Sequence, residues 1–219
     1  MQIMTNAVGG RETNEGKEII KNNLYGIEFD KSICAFAYAN TLIHQVSEIQ
    51  IVQGDSRTGG VVDVMDDNEE KMTSAQWIKK CKINKAIMNP PFEKKYGCLK
   101  IVENVLDNVE KNATCAFILP DKKLEKEKGA AKRILTNHRL LGIIKLPDKT
   151  FTTVNVATSI FVFEAKVPHN KKPIFTCYMK DDGLATVKNK GRNDVHGKWR
   201  DIEEYWLNVW DTKSGDRDR

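Results

Sequence analysis

The segment best equipped for chemistry by residue type and order is Asn89-Pro90-Pro91-Phe92. Two successive prolines fix two φ angles and remove two backbone donors, so the corner is stiff and its carbonyls are left to accept. The Asn89 side chain adds an acceptor and Phe92 a flat apolar face. Acceptors on Asn89 and the Pro90 carbonyl suit a planar amine. Accepting its N–H bonds would turn the nitrogen lone pair toward an electrophile, with the Phe92 ring stacked on the attached heterocycle. The same four residues also fit a rigid turn without chemistry. Their place favours chemistry, because they follow Ala86-Ile87-Met88, a brief apolar run that reads as a strand. In open α/β sheets ligands bind beyond the carboxyl ends of strands. Two more polar clusters occupy such ends, Glu28-Phe29-Asp30 and Gly54-Asp55-Ser56. Glu28 also fits a plain surface acid, and Asp55 a turn residue.

The elements that must hold these clusters follow from apolar spacing. Residues 22–30 predict a short strand, and residues 31–46 a helix with Ala35, Ala39, Leu42 and Val46 on one stripe and Asp30 as N-cap. Ile33, Phe36 and Ile43 add a second apolar face, which predicts a well-buried helix. A strand at residues 49–52 is followed by residues 57–80, polar and loop-like, a long connection for a compact domain. Leu99, Val102, Val105, Leu106 and Val109 predict an amphipathic helix after the proline corner. Strands at residues 114–119 and 140–146 flank a charged helix at residues 124–137. Residues 156–163 predict a strand pairing antiparallel with its neighbour, because only a short loop precedes them. Another strand is expected at residues 174–179. Trp199, Ile202, Trp206, Val209 and Trp210 share one face of a last helix, where the tryptophans read as packing. The alternation predicts an α/β fold with a mixed, mostly parallel sheet.

Composition excludes several classes. The 219 residues carry 35 Lys and Arg against 30 Asp and Glu, a net charge of +5 that permits a polyanionic partner. No run approaches the ~18 apolar residues of a membrane span, and the N-terminus has no basic-then-apolar signal segment. The cysteines at 34, 81, 98, 115 and 177 form no C-x-x-C pair, and the four histidines no H-E-x-x-H. No metal site is expected, the cysteines read as core, and a reducing cytoplasm is the expected location.

Asn89-Pro90-Pro91-Phe92 resembles the [ND]-P-P-[FYW] motif of S-adenosylmethionine-dependent amino-methyltransferases, in particular the adenine-N6 DNA methyltransferases. The Leu24 to Asp30 segment with Ala37-Tyr38-Ala39-Asn40 is similar to the second motif of type I restriction–modification methylation subunits, and Gly54-Asp55-Ser56 to their third. Ile144-Lys145-Leu146-Pro147, Phe151 and the strand from Ala157 to Phe163 resemble the family's later strand and hairpin. Lys180-Asp181-Asp182-Gly183 and the basic stretch ending in Arg192 resemble its extension. The resemblance implies a Rossmann-like S-adenosylmethionine-dependent fold. It implies that Glu28 accepts from the cofactor ribose hydroxyls and Asp55 from the cofactor adenine amine, with Ser56 as neighbour. It also implies that Asn89 and the Pro90 carbonyl hold the N6 amine of a flipped adenine, with Pro91 stiffening the corner and Phe92 stacking on the base. Lys94 and Lys95, beside the corner, are the lysines favoured for DNA phosphates. The sulfonium is already a strong electrophile, so positioning supplies most of the catalysis and no dedicated base is required.

One departure stands out. The family's glycine-rich first motif and first strand are not matched by Gly9-Gly10. The expectation is a fold lacking that strand and loop, whose neighbours pair directly or leave a gap for another chain, and which binds S-adenosylmethionine weakly if at all on its own. Expected domains are a partial catalytic domain at residues 1–165, an extension at 166–210 and a disordered tail at 211–219. Expected partners are DNA, specificity and restriction subunits, and a complementing N-terminal methylase fragment. Two alternatives fit the same residues: a non-catalytic module that binds DNA or a partner, and a methyltransferase of protein glutamine.

Overall fold

The computed structural model describes residues 8–10, 12–43, 50–93, 97–148, 150–151, 156–188 and 190–215. The chain divides into two compact units. The first comprises Met1–Ile83 with Glu103–Glu110, and the second Asn84–Val102 with Lys111–Arg219.

The first unit opens with α1 (Asn14–Asn23), capped by Thr13, whose Oγ1 accepts from the Gly16 amide at 2.9 Å. The apolar pattern there is too sparse to predict a helix, and the cap supplies what periodicity does not. Strand β1 (Tyr25–Glu28) leads into α2 (Lys31–Ile43), and β2 (Gln50–Gln53) returns parallel to β1 with Tyr25 opposite Gln50 and Glu28 opposite Gln53. Asp30 caps α2 as expected, its Oδ1 accepting from the amides of Ser32 and Ile33 at 2.8 and 3.1 Å.

Two expectations for this unit are corrected. Helix α2 is not well buried: Cys34 is its one buried residue among those described, while Ile33, Phe36 and Ile43 are 54%, 72% and 76% exposed. A helix apolar on every side needs cover on every side, and the two-stranded β1–β2 sheet covers one stripe. Residues 57–80 are not one long loop. They hold the antiparallel hairpin β3 (Val61–Met65) and β4 (Lys71–Thr73), followed by α3 (Ser74–Lys80). A capping box starts α3, with Thr73 Oγ1 accepting from the Gln76 amide and the Gln76 side chain from the Thr73 amide.

The second unit is built on a five-stranded sheet. Its strands are β5 (Lys85–Met88), β6 (Thr114–Pro120), β7 (Arg139–Lys145), β8 (Thr158–Glu164) and β9 (Phe175–Tyr178), in the order β5-β6-β8-β7-β9. Strands β5–β6 and β7–β9 pair parallel, while β8 pairs antiparallel with both β6 and β7, as the short loop before it predicted. Strands β1 and β5 belong to separate sheets in separate units.

Phe117, Phe161 and Phe163 carry the core, with Phe117 and Phe163 edge to face at 6.1 Å. Helix α4 (Cys98–Asn108) contributes residues to both units. The predicted helix at residues 124–137 is two helices, α5 (Lys123–Lys126) and α6 (Lys128–Asn137), because Glu127 leaves helical φ/ψ where it meets the largely buried Lys123 ammonium at 2.7 Å. The short hairpin of β10 (Ala185–Val187) and β11 (Gly191–Asn193) precedes α7 (Trp199–Thr212). Helix α7 runs two residues into the stretch read as a tail, and residues 216–219 lie outside those described. Its Trp206, Val209 and Trp210 pack toward β9 around an apolar cavity of about 50 Å³.

Candidate functional site

Two of the candidate acids share one edge of the first unit. Glu28 ends β1, Gln53 ends β2 opposite it, and the Gly54 amide donates to the Glu28 carbonyl at 2.9 Å, continuing the ladder one residue past the strands. Asp55 is the next residue, so both carboxylates stand at the carboxyl end of the same parallel pair. The Glu28 Oε1 accepts from the Asp30 amide at 2.8 Å, closing the turn between β1 and α2.

The loop after Gly54 is held by groups that sequence reasoning did not single out. The Asp55 amide donates to the Val61 carbonyl at 2.9 Å, folding the loop back on β3. Gly60 lies so close to Asp55 that a Cβ there would stand 2.2 Å from the Asp55 carbonyl oxygen, which explains glycine at this position. Asn104, 3% exposed on α4, donates from Nδ2 to the Ser56 carbonyl and to the Ser74 hydroxyl, each at 3.0 Å. Asn108 donates in turn to the Asn104 side chain at 3.0 Å. Ser56 therefore serves the loop through its backbone carbonyl, anchored by a buried amide. An asparagine on the apolar face of an amphipathic helix was the available sequence signal.

Arg57 meets the Asp55 carboxylate twice over. Its Nε lies 2.9 Å from Oδ1 and 2.8 Å from Oδ2, its Nη2 lies 2.5 Å from Oδ2, and its amide donates to Oδ1 at 2.9 Å. The side-chain hydrogen bond from Arg57 holds the Asp55 carboxyl below the usual range, against the opposing pull of partial burial.

The proline corner belongs to the second unit, directly after β5. Asn89 and Pro91 are exposed, Pro90 is buried and Phe92 is half-buried. Burial of Pro90 seats the corner while the Asn89 side chain stays open to solvent. The Phe92 ring meets Phe151 edge to face, with centroids 5.7 Å apart and planes at 86°. This pairing across fifty-nine positions of sequence ties the corner to the loop before β8 and could not be read from spacing. Lys94 and Lys95 lie outside the described residues. His138 is buried, and its Nδ1 accepts from the Lys166 amide at 3.0 Å, a structural role. Among the described residues no three His, Cys, Asp or Glu side chains group as a metal site, and no helix is long and apolar enough to cross a membrane.

The family model for N-6 DNA Methylase matches residues 11–211. The chain is similar to the type II restriction enzyme and methyltransferase RM.BcgI of Heyndrickxia coagulans, 27% identical over 205 residues that cover 87% of this chain and 30% of the relative. Among solved structures it is similar to the type I restriction enzyme EcoKI M protein. The TM-score is 0.60 at 14% identity, over 94% of this chain and 45% of that one. It is also similar to a protein from Listeria monocytogenes described as a class I S-adenosylmethionine-dependent methyltransferase, with a TM-score of 0.52 at 16% identity, over 72% of this chain and 49% of that one. The chain thus spans less than half the length of each, and the structural likeness shows the S-adenosylmethionine-dependent methyltransferase fold.

Proposed function

The chain belongs to the N-6 DNA methylase family, and on that footing we propose that it takes part in methyl transfer from S-adenosylmethionine to the N6 amine of adenine in DNA, within a restriction–modification system. The cofactor would supply the activated methyl group as a sulfonium. The observation that carries the reading is the Asn-Pro-Pro-Phe corner itself: an exposed Asn89 on a seated Pro90, at the carboxyl end of a strand, beside a half-buried aromatic ring.

Each residue then has a stated task. Asn89 Oδ1 and the Pro90 carbonyl accept from the target amine, which orients the nitrogen lone pair. Pro91 keeps the corner stiff, since its ring fixes φ. Phe92 stacks on the extruded base, held in place by Phe151; base–aromatic stacking contributes roughly 1–3 kcal/mol. Glu28 fits the cofactor ribose, because a carboxylate offers about four lone-pair directions and the bond to the Asp30 amide occupies one oxygen. Asp55 fits less well as it stands. Arg57 fills both of its oxygens, so accepting from an adenine amine requires the guanidinium to give way. The expected partners are duplex DNA and the specificity and restriction subunits of such systems, and the expected compartment is the cytoplasm, where five unpaired thiols persist.

The test is incorporation of labelled methyl from S-adenosylmethionine into duplex DNA, with partner subunits supplied, and identification of the modified base. Asn89→Ala should cut turnover by about 100-fold or more while leaving the circular dichroism unchanged, because the side chain is exposed. Label entering a glutamine-containing protein instead of DNA, or no label with any combination of partners, would overturn the reading.

A further inference from the structure

The β10–β11 hairpin is more firmly built than its size requires. It pairs with no other strand among the described residues. Its base is a double turn: Asp181 Oδ1 accepts from the Gly183 amide at 2.9 Å and Asp182 Oδ1 from the Leu184 amide at 3.1 Å, with Gly183 at φ +72°. Arg192 on β11 pairs with Asp182, the two side chains 16% and 10% exposed, and its Nη2 also reaches the Leu184 carbonyl at 3.3 Å. A buried ion pair adds little net stability over an apolar packing, and its best-attested use is to fix one arrangement. Here it locks the hairpin to the turn that carries it.

The locked hairpin presents cations. Lys188 and Lys190 flank its tip, where the Lys190 amide donates to the Val187 carbonyl at 3.1 Å, and both side chains are exposed. Lys198 follows, exposed, at the start of α7. None of the three makes an ion pair among the described residues, although Asp194 lies between them in sequence. The Asp194 carboxylate instead accepts from the amides of Lys198 and Trp199 at 2.8 and 3.1 Å, where α7 begins. The acids Asp201, Glu203 and Glu204 come later, on α7 itself.

We propose that the β10–β11 hairpin is a phosphate-contacting arm for duplex DNA, with Lys188 and Lys190 at its tip as the contacting cations. This rests on the reading that DNA is the substrate, and deepens it by naming the surface. Lysines on a rigid arm lose less freedom on binding than lysines on a loose loop, and each phosphate neutralised releases counterions. Arg192 is spent on Asp182 and is the arm's fastener.

The experiment is a salt titration of binding to a thirty-base-pair duplex of arbitrary sequence, by fluorescence anisotropy. Lys188→Ala/Lys190→Ala should weaken binding about equally for unrelated sequences and reduce the slope of log K against log salt by about 2. Its melting temperature should not change, since both side chains are exposed. Lys188→Arg/Lys190→Arg should keep the wild-type slope. An unchanged slope in the alanine variant, or a wild-type chain that does not bind the duplex, overturns the arm. Asn89→Ala, measured alongside, should bind the duplex with the wild-type slope and lose only methyl transfer, so the arm and the proposed chemistry fail separately.

Discussion

Arg57 and Asp55, two residues apart, are joined by a fork in which one guanidinium reaches both carboxylate oxygens, at 2.9 Å to Oδ1 and at 2.8 and 2.5 Å to Oδ2. Bidentate charge-assisted pairs are the strong and geometrically specific members of their class. This one holds the acid in the ionised form and fixes which way it faces. The Asp55 carboxyl, ordinarily near 3.8, is lowered in the folded protein. The pair's contribution is therefore present above that value and is lost as pH falls through the lower, folded one. Arg57→Ala should move the Asp55 carboxyl resonance to titrate higher, and should flatten the acid limb of the stability curve below pH 3.8. An unmoved Asp55 titration would show that the fork does not form in solution.

Gly60 is a second determinant of the same loop. Gly60→Ala places a Cβ 2.2 Å from the Asp55 carbonyl oxygen, a backbone atom with no side-chain rotamer to give way. Overpacking of this kind costs about 1–3 kcal/mol, and denaturant unfolding should register a loss of that size. Gly59→Ala, with nothing within 4 Å of its added carbon but a φ of +78°, is the comparison that separates crowding from backbone strain.

Asn104 should matter to Ser56 without touching its side chain. Asn104→Ala removes the donor to the Ser56 carbonyl and to the Ser74 hydroxyl, while the buried Asn108 amide loses one acceptor and keeps its 2.7 Å bond to the Asn104 backbone carbonyl. Each unsatisfied buried group costs roughly 1–3 kcal/mol. Hydrogen exchange should report faster opening at the amides of Asp55 and Gly60, which hold the loop to β3 and close its turn. Exchange unchanged at both amides would mean the loop stands without the network.

The corner after β5 was legible in the sequence because its chemistry is local: two prolines dictate their own φ, and a short apolar run precedes them. The first unit was less legible. Its hairpin at β3–β4 is three to five residues per strand and mixes Asp, Lys and Met into its alternation, so periodicity reads as loop. The unit's anchor, Asn104, lies forty-nine positions beyond Asp55.

Cys115 sets an alkaline limit. Its thiol is fully buried on β6, and burial pushes it from 9.0 up to about 12. The native state keeps the proton where the unfolded chain loses it, so stability is unaffected below about pH 9 and falls as pH rises toward 12. Cys115→Ala costs some packing at neutral pH and should make the alkaline decline shallower, as followed by urea unfolding between pH 8 and about 11. A decline equally steep in the variant would assign it to other groups, Cys81 among them, which burial pushes up to about 11.

What the sequence determined by itself is the alternation of strands and helices outside α1 and residues 57–80, the carboxyl-end positions of Glu28, Asp55 and Asn89, and the proline corner, because each depends on near neighbours in the chain. Tertiary structure alone decided that Phe92 meets Phe151, that Asn104 holds Ser56, and that α2 keeps an apolar face open to solvent. The first two are contacts between residues far apart in sequence, which no local pattern encodes. The third is a matter of supply: spacing marks which helical faces are apolar, but whether a surface arrives to cover them depends on how many strands the sheet beneath them has.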